Sequence, residues 1–178
     1  MRMEAPQYYP CRMQLGGEAR FVAWYSADID GFLRDANGRL VVSDSIEALA
    51  VPMMVAEPVE YDFDRIIAWC ATPDKASVDC QTFLNAWNFI DDLAGLHAGA
   101  DTPYTRLSRA AGETYRKLFW GNNLSIVTPL SKRFEPTWSP EELAAIRYVF
   151  EEGLRVLTKE LASRTIDTEP IAKKDGKA

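Results

Sequence analysis

Two adjacent acids, Asp91 and Asp92, stand near the end of a stretch with helical apolar spacing. Paired aspartates on a helix hold Mg²⁺ when a further acid lies one turn on, so that the carboxylates converge on the ion. Gly95 occupies that place. Asp28, Asp30 and Asp35 have the beginnings of a calcium loop, yet Arg39 stands where the closing glutamate belongs. Histidine chemistry can rest only on His97, in Leu96-His97-Ala98-Gly99. A lone histidine at a helix C-terminus is accounted for by the helix dipole alone. No phosphate-binding glycine loop, dinucleotide fingerprint or serine nucleophile elbow occurs. These residues therefore imply no metal, no cofactor and no catalytic group, and the chain is expected not to be an enzyme.

A polar-aromatic constellation is the stronger feature. On a helix, Asn85, Asn88 and Asp92 fall on one side at steps of three and four, while Leu84, Trp87 and Asp91 line another. Phe119-Trp120-Gly121-Asn122-Asn123 forms a second cluster. One reading is internal, with the asparagines satisfying backbone groups and capping a helix. The other is a pocket built from Asn85, Trp87, Asn88, Asp92, Trp120 and Asn122. Tryptophan is enriched at binding hot spots because it joins a large apolar face to one donor.

Charge is unevenly distributed. From Asp28 to Asp92 there are thirteen acids and four bases, a net −9, within a chain whose total is −6. Such a run suggests an acidic face for a basic partner. The candidate contact residues are Asp28, Asp30, Asp35, Glu57, Glu60, Asp62 and Asp64. Acids on loops and strand edges also keep a domain soluble, which is the structural alternative. Six bases lie between Tyr104 and Arg133, interleaved with aromatics. The sequence pI of about 4.9 opposes direct nucleic-acid binding, because phosphate approach is repelled at long range.

The elements that position these groups read as α+β. Residues 8–26 form two strands around Gly16-Gly17, and Asp35-Ala36-Asn37-Gly38 turns a second hairpin. Residues 43–50 suggest a short helix capped by Ser43 or Ser45. Tyr61 to Cys70 fits either a strand or a short helix. Cys80, Phe83, Leu84, Trp87, Ile90 and Leu93 mark a helix over 77–96. A second helix spans 105–120, and Leu124 to Val127 suggests a strand. Ser139-Pro140-Glu141-Glu142 opens a last helix with cap, proline and capping-box glutamate. Gly153 inside its apolar stripe implies close packing, since glycine there costs about 1 kcal/mol against alanine. The expectation is an N-terminal antiparallel sheet packed by about three main C-terminal helices. Residues 1–165 would form a single domain and 166–178 a disordered polar tail.

At 178 residues and 47% apolar content the chain can bury a full core. Cys11, Cys70 and Cys80 are odd in number and unpaired in spacing, which argues against a disulfide framework. Met1 to Pro10 holds no apolar run of signal-peptide length, and the apolar stretch Leu49 to Ala56 is broken by Pro52. A cytoplasmic protein with no membrane contact is expected.

Leu84-Asn85-Ala86-Trp87-Asn88 and Leu118-Phe119-Trp120-Gly121-Asn122-Asn123 resemble strings in small bacterial proteins without an assigned activity. In size and charge the chain resembles immunity proteins of bacterial toxin systems, which are compact, acidic and free of catalytic motifs. That resemblance implies a non-catalytic inhibitor. It would occlude the basic, nucleic-acid-handling active site of a toxin with an acidic face.

Overall fold

Gly16 and Gly17 both adopt positive φ, 64° and 77°, a conformation glycine takes without steric cost. They join β1 (Gln7–Leu15) to β2 (Glu18–Ser26) in an antiparallel hairpin that places Tyr9 opposite Trp24 and Cys11 opposite Val22. The computed structural model describes residues 6–124, 132–163 and 165–166. Asp64 locks the turn by accepting from the Gly16 and Gly17 backbone N–H groups at 2.6 and 2.9 Å.

β3 (Gly31–Phe32) pairs antiparallel with β2, opposing Phe32 to Trp24. The chain then turns at Asp35–Gly38 and runs through β4 (Val41–Val42). The helix expected over 43–50 is a single 3-10 turn, Glu47–Leu49, ended by Ala50 at φ 54°. Ser43 is committed to a bridge with Phe21, so no room remains for a longer helix. Met53 then runs beside Tyr8, and β5 (Val59–Asp62) pairs parallel with β1. The sheet order is β3-β2-β1-β5. The sheet is therefore mixed rather than antiparallel. The connection from β4 returns the chain to the far edge of β1 in β1's own direction, which no hairpin spacing reveals.

Five α-helices follow among the described residues, more than the three expected. Asp62 ends β5 and caps α1 (Phe63–Ala71) by accepting from Arg65 N–H at 2.9 Å, so the ambiguous 61–70 segment is strand and then helix. Asp79 caps α2 (Cys80–Leu93). The segment expected as one helix from Thr105 is two, α3 (Pro103–Ala110) and α4 (Gly112–Gly121). The break falls at Ala111-Gly112, where glycine's low helix propensity makes a change of direction cheap. α5 (Pro140–Ala162) opens with the Ser139–Glu142 capping box. β6 (Thr165–Ile166) pairs parallel with β4. Most of the expected strand at Leu124 to Val127, and the expected tail beyond Ile166, lie outside the described residues.

α2 is the central element, touching β3 and β5 on one side and α4 and α5 on the other. Phe83, Trp87 and Ile90 are fully buried there with Tyr104 and Phe150. Gly153 of α5 admits this packing. A Cβ on it would lie 2.8 Å from Ile90 Cδ1 and 3.1 Å from Tyr104 Cε2. No helix among the described residues is long and apolar enough to cross a membrane.

Candidate binding cleft between sheet and helix

Residues of one parity face α2 along each strand, because successive side chains alternate across a sheet. Tyr9 and Cys11 from β1, Trp24 from β2, Phe32 from β3, and Val59 and Tyr61 from β5 all point to that side. α2 answers with Asn85, Asn88, Phe89 and Asp92, which share one face at helical spacing. Between them lies a half-open cleft of about 230 Å³.

Its floor is apolar and buried. Phe89 packs against Phe32 and Tyr61 with ring centroids 4.5 and 4.7 Å apart. The Cys11 thiol meets the Tyr61 hydroxyl, and burial pushes Cys11 up to about 11. Burial likewise raises the Tyr61 hydroxyl above the usual phenol range. The walls are Tyr9 and Trp24, whose rings lie 5.4 Å apart and tilted at 50°. Val59, 43% exposed, forms part of the rim.

The polar end is Asp92. Trp24 Nε1–H donates to its Oδ2 at 2.9 Å. Its Oδ1 lies 3.9 Å from His97 Nε2, beyond hydrogen-bond length. Burial raises the Asp92 carboxyl above the usual aspartate range. The Trp24 bond and His97 oppose that rise, and the nearby Asp30 charge adds to it. Asn88 Oδ1 accepts from the Tyr115 hydroxyl at 2.8 Å. The half-buried Asn85 carboxamide has no hydrogen-bond partner among the described residues.

Asp91 faces the opposite way. Its Oδ1 accepts from the Tyr104 hydroxyl at 2.7 Å and from Ser108 Oγ at 2.8 Å. Ser108 Oγ in turn accepts from Trp87 Nε1–H at 2.8 Å. Burial raises this carboxyl too, against the pull of both hydroxyls. Adjacent positions on a helix project about 100° apart, so the two aspartates serve different elements and do not converge. No cluster of three potential metal ligands occurs among the described residues.

The structure thus brings Asn85, Asn88 and Asp92 together and leaves Trp87, Trp120 and Asn122 elsewhere. Trp87 is fully buried in the core, Trp120 is 48% exposed on α4, and Asn122 is the C-cap of α4. Tyr9, Trp24 and Tyr61 complete the cleft and escaped sequence reasoning. A signal for two of them existed, because a two-residue Gly16-Gly17 turn fixes a register that opposes Tyr9 to Trp24.

The seven acids of the run are spread along the sheet rather than clustered at one end. Asp28 and Asp30 follow β2, where Asp30 accepts from Ala27 N–H. Asp62 and Asp64 lie at the other end of β1, roughly 26 Å away at about 3.3 Å per residue. Asp35 sits in the second hairpin, accepting from the backbone N–H groups of Asn37 and Arg39. Glu60 pairs with Arg12 at 2.8 Å. Among the described residues, Asp28 and Glu57 alone of the seven have neither a hydrogen bond nor an ion pair. Four bases of the later basic stretch also have partners: Arg106 with Asp101, Arg109 with the Leu96 and Ala100 carbonyls, Arg116 with Glu113, and Lys117 with Glu142.

Comparison of the chain with protein-family models, curated proteins and solved structures finds no match.

Proposed function

We propose that this protein is a non-catalytic inhibitor of the toxin-immunity type, binding a basic protein partner in a stoichiometric complex. The observation that carries the reading is the cleft, where aromatic walls end at a carboxylate set in an acidic surround. Asp28 lies two residues before Asp30, whose charge acts on Asp92. Glu57 lies two residues before the rim residue Val59. Among the described residues, the two of the seven candidate acids with no hydrogen bond or ion pair therefore flank the cleft in sequence, and the interface centres there rather than on the whole run to Asp64. Acids so placed speed encounter with a basic partner, and a central aromatic group supplies the affinity.

The cleft is small for a metabolite. Its volume of about 230 Å³ lies below the roughly 300–1,000 Å³ of ordinary ligand sites. That size favours a single side chain of a partner. The Cys11 thiol, pushed up to about 11 by burial, is a poor nucleophile at neutral pH, so the cleft offers no activated thiol.

The test is affinity capture from the native host at low salt, then co-expression of the captured protein with and without this chain. One basic protein held at equal stoichiometry, harmful alone and harmless when co-expressed, is the expected result. A captured partner whose activity is unchanged by this chain overturns the reading.

A further inference from the structure

We infer that the cleft is an arginine socket, holding the guanidinium of one arginine presented by the basic partner. This rests on the protein-binding reading above and identifies the chemistry it recognises. Among the described residues, Asp92 is the one charged residue lining the cavity. Its charge repels anions, and the rest of the lining is uncharged, mostly aromatic with two carboxamides. A neutral ligand would leave a half-buried carboxylate with the Trp24 N–H as its single hydrogen-bond donor among the described residues, an expensive arrangement.

A guanidinium meets every part of the site. Its plane can stack on the Trp24 ring with Tyr9 beside it, since those two rings are tilted 50° to each other, and it is weakly hydrated enough to enter a partly dry cleft. Its donors match the acceptors that remain open. Among the described residues, Asp92 Oδ1 has no donor within hydrogen-bond length, the Asn85 carboxamide is unpartnered, and Asn88 Oδ1 uses one lone pair on Tyr115. A carboxylate and two carboxamide oxygens arrayed along one helix face suit a planar fork of five N–H groups. A lysine ammonium is a strongly hydrated point charge and lacks the plane for stacking. The methylene stem of arginine passes the apolar rim at Val59.

The experiment titrates the full chain with N-acetyl-arginine amide and, separately, N-acetyl-lysine amide. The readouts are the Trp24 indole N–H and the Asn85 and Asn88 side-chain amides by NMR. The expected result is saturable shifts at these three groups, with the arginine amide binding about tenfold tighter than the lysine amide. Asp92→Asn keeps an acceptor for Trp24 and should weaken arginine binding about tenfold or more. Asn85→Leu, close in shape and unchanged in charge, removes one carboxamide acceptor and should weaken the shifts at Trp24 and Asn88, which guards against misfolding of the first variant. Equal response to both amides, or shifts unchanged in both variants, overturns the socket. If the probe fails while the chain still neutralises a basic partner, the socket falls and the inhibitor reading stands. If the probe binds and no basic partner is neutralised, the inhibitor reading falls and the guanidinium site stands.

Discussion

Trp24 Nε1–H donates to Asp92 Oδ2 at 2.9 Å, joining β2 to the last turn of α2 across 68 residues of sequence. This bond fixes the polar end of the cleft and holds one wall at its working distance. It also ties cleft geometry to ionisation, since the acceptor is a carboxylate whose charged form is disfavoured by burial.

Trp24→Phe removes that donor and keeps an aromatic wall. Burial holds the folded-state pKa of Asp92 above its unfolded value. The folded protein therefore keeps the proton longer than the unfolded chain. The stability contribution is complete below the unfolded pKa and is lost as pH rises through the folded one. Trp24→Phe should steepen this loss, and Asp92→Asn should flatten it. Asp91 acts with the same sign and leaves a residual slope. Urea denaturation midpoints from acidic to neutral pH measure it, and an unchanged slope in both variants contradicts the account.

The Asp91 network predicts a contrast between two substitutions. Asp91→Ala strands the buried Tyr104 and Ser108 hydroxyls and should cost about 2–4 kcal/mol. Asp91→Asn preserves an acceptor at the Oδ1 position and removes the buried charge, so its cost should stay below about 1.5 kcal/mol. Equal losses in chemical denaturation would mean that side-chain volume, not hydrogen bonding, dominates at this position.

Gly153→Ala should destabilise despite alanine's better helix propensity. The added methyl would lie 2.8 Å from Ile90 Cδ1 in a fully buried contact. Overpacking costs typically about 1–3 kcal/mol, against a propensity gain of about 1 kcal/mol. A net loss of up to about 2 kcal/mol is expected in thermal or urea unfolding. A gain would show that Ile90 and Tyr104 can move aside.

The acidic run should divide by role. Asp62 caps α1 and Asp64 holds the Gly16–Gly17 turn, so neutralising this pair should lower stability by about 1–2 kcal/mol. Asp28→Asn with Glu57→Gln should leave stability within about 0.5 kcal/mol and slow low-salt association with the captured partner. The difference should shrink near 0.5 M salt, where the Debye length is roughly 4 Å. If the Asp62 and Asp64 substitutions instead produced the larger kinetic effect, the contact surface would lie at the other end of the sheet.

Local chemistry was readable in the residues themselves. Gly16-Gly17 and Asn37-Gly38 mark turns through glycine's access to positive φ. Ser139 and Glu142 announce the start of α5 because a cap needs only neighbours in sequence. Helical spacing alone placed Asn85, Asn88 and Asp92 on one face, and the cleft uses that face. Tertiary structure decided the rest. Parallel pairing of β5 with β1 depends on the route taken by residues 43–58, which no period encodes. The opposite fates of Asp91 and Asp92 depend on which element covers each side of α2, since 100° of helix rotation separates a buried hydroxyl network from a half-open cleft. Sequence counts the acids between Asp28 and Asp92, but only packing separates those serving turns, caps and ion pairs from Asp28, Glu47 and Glu57, whose side chains have no partner among the described residues. Charge is a property of the residue, whereas its partner is a property of the fold.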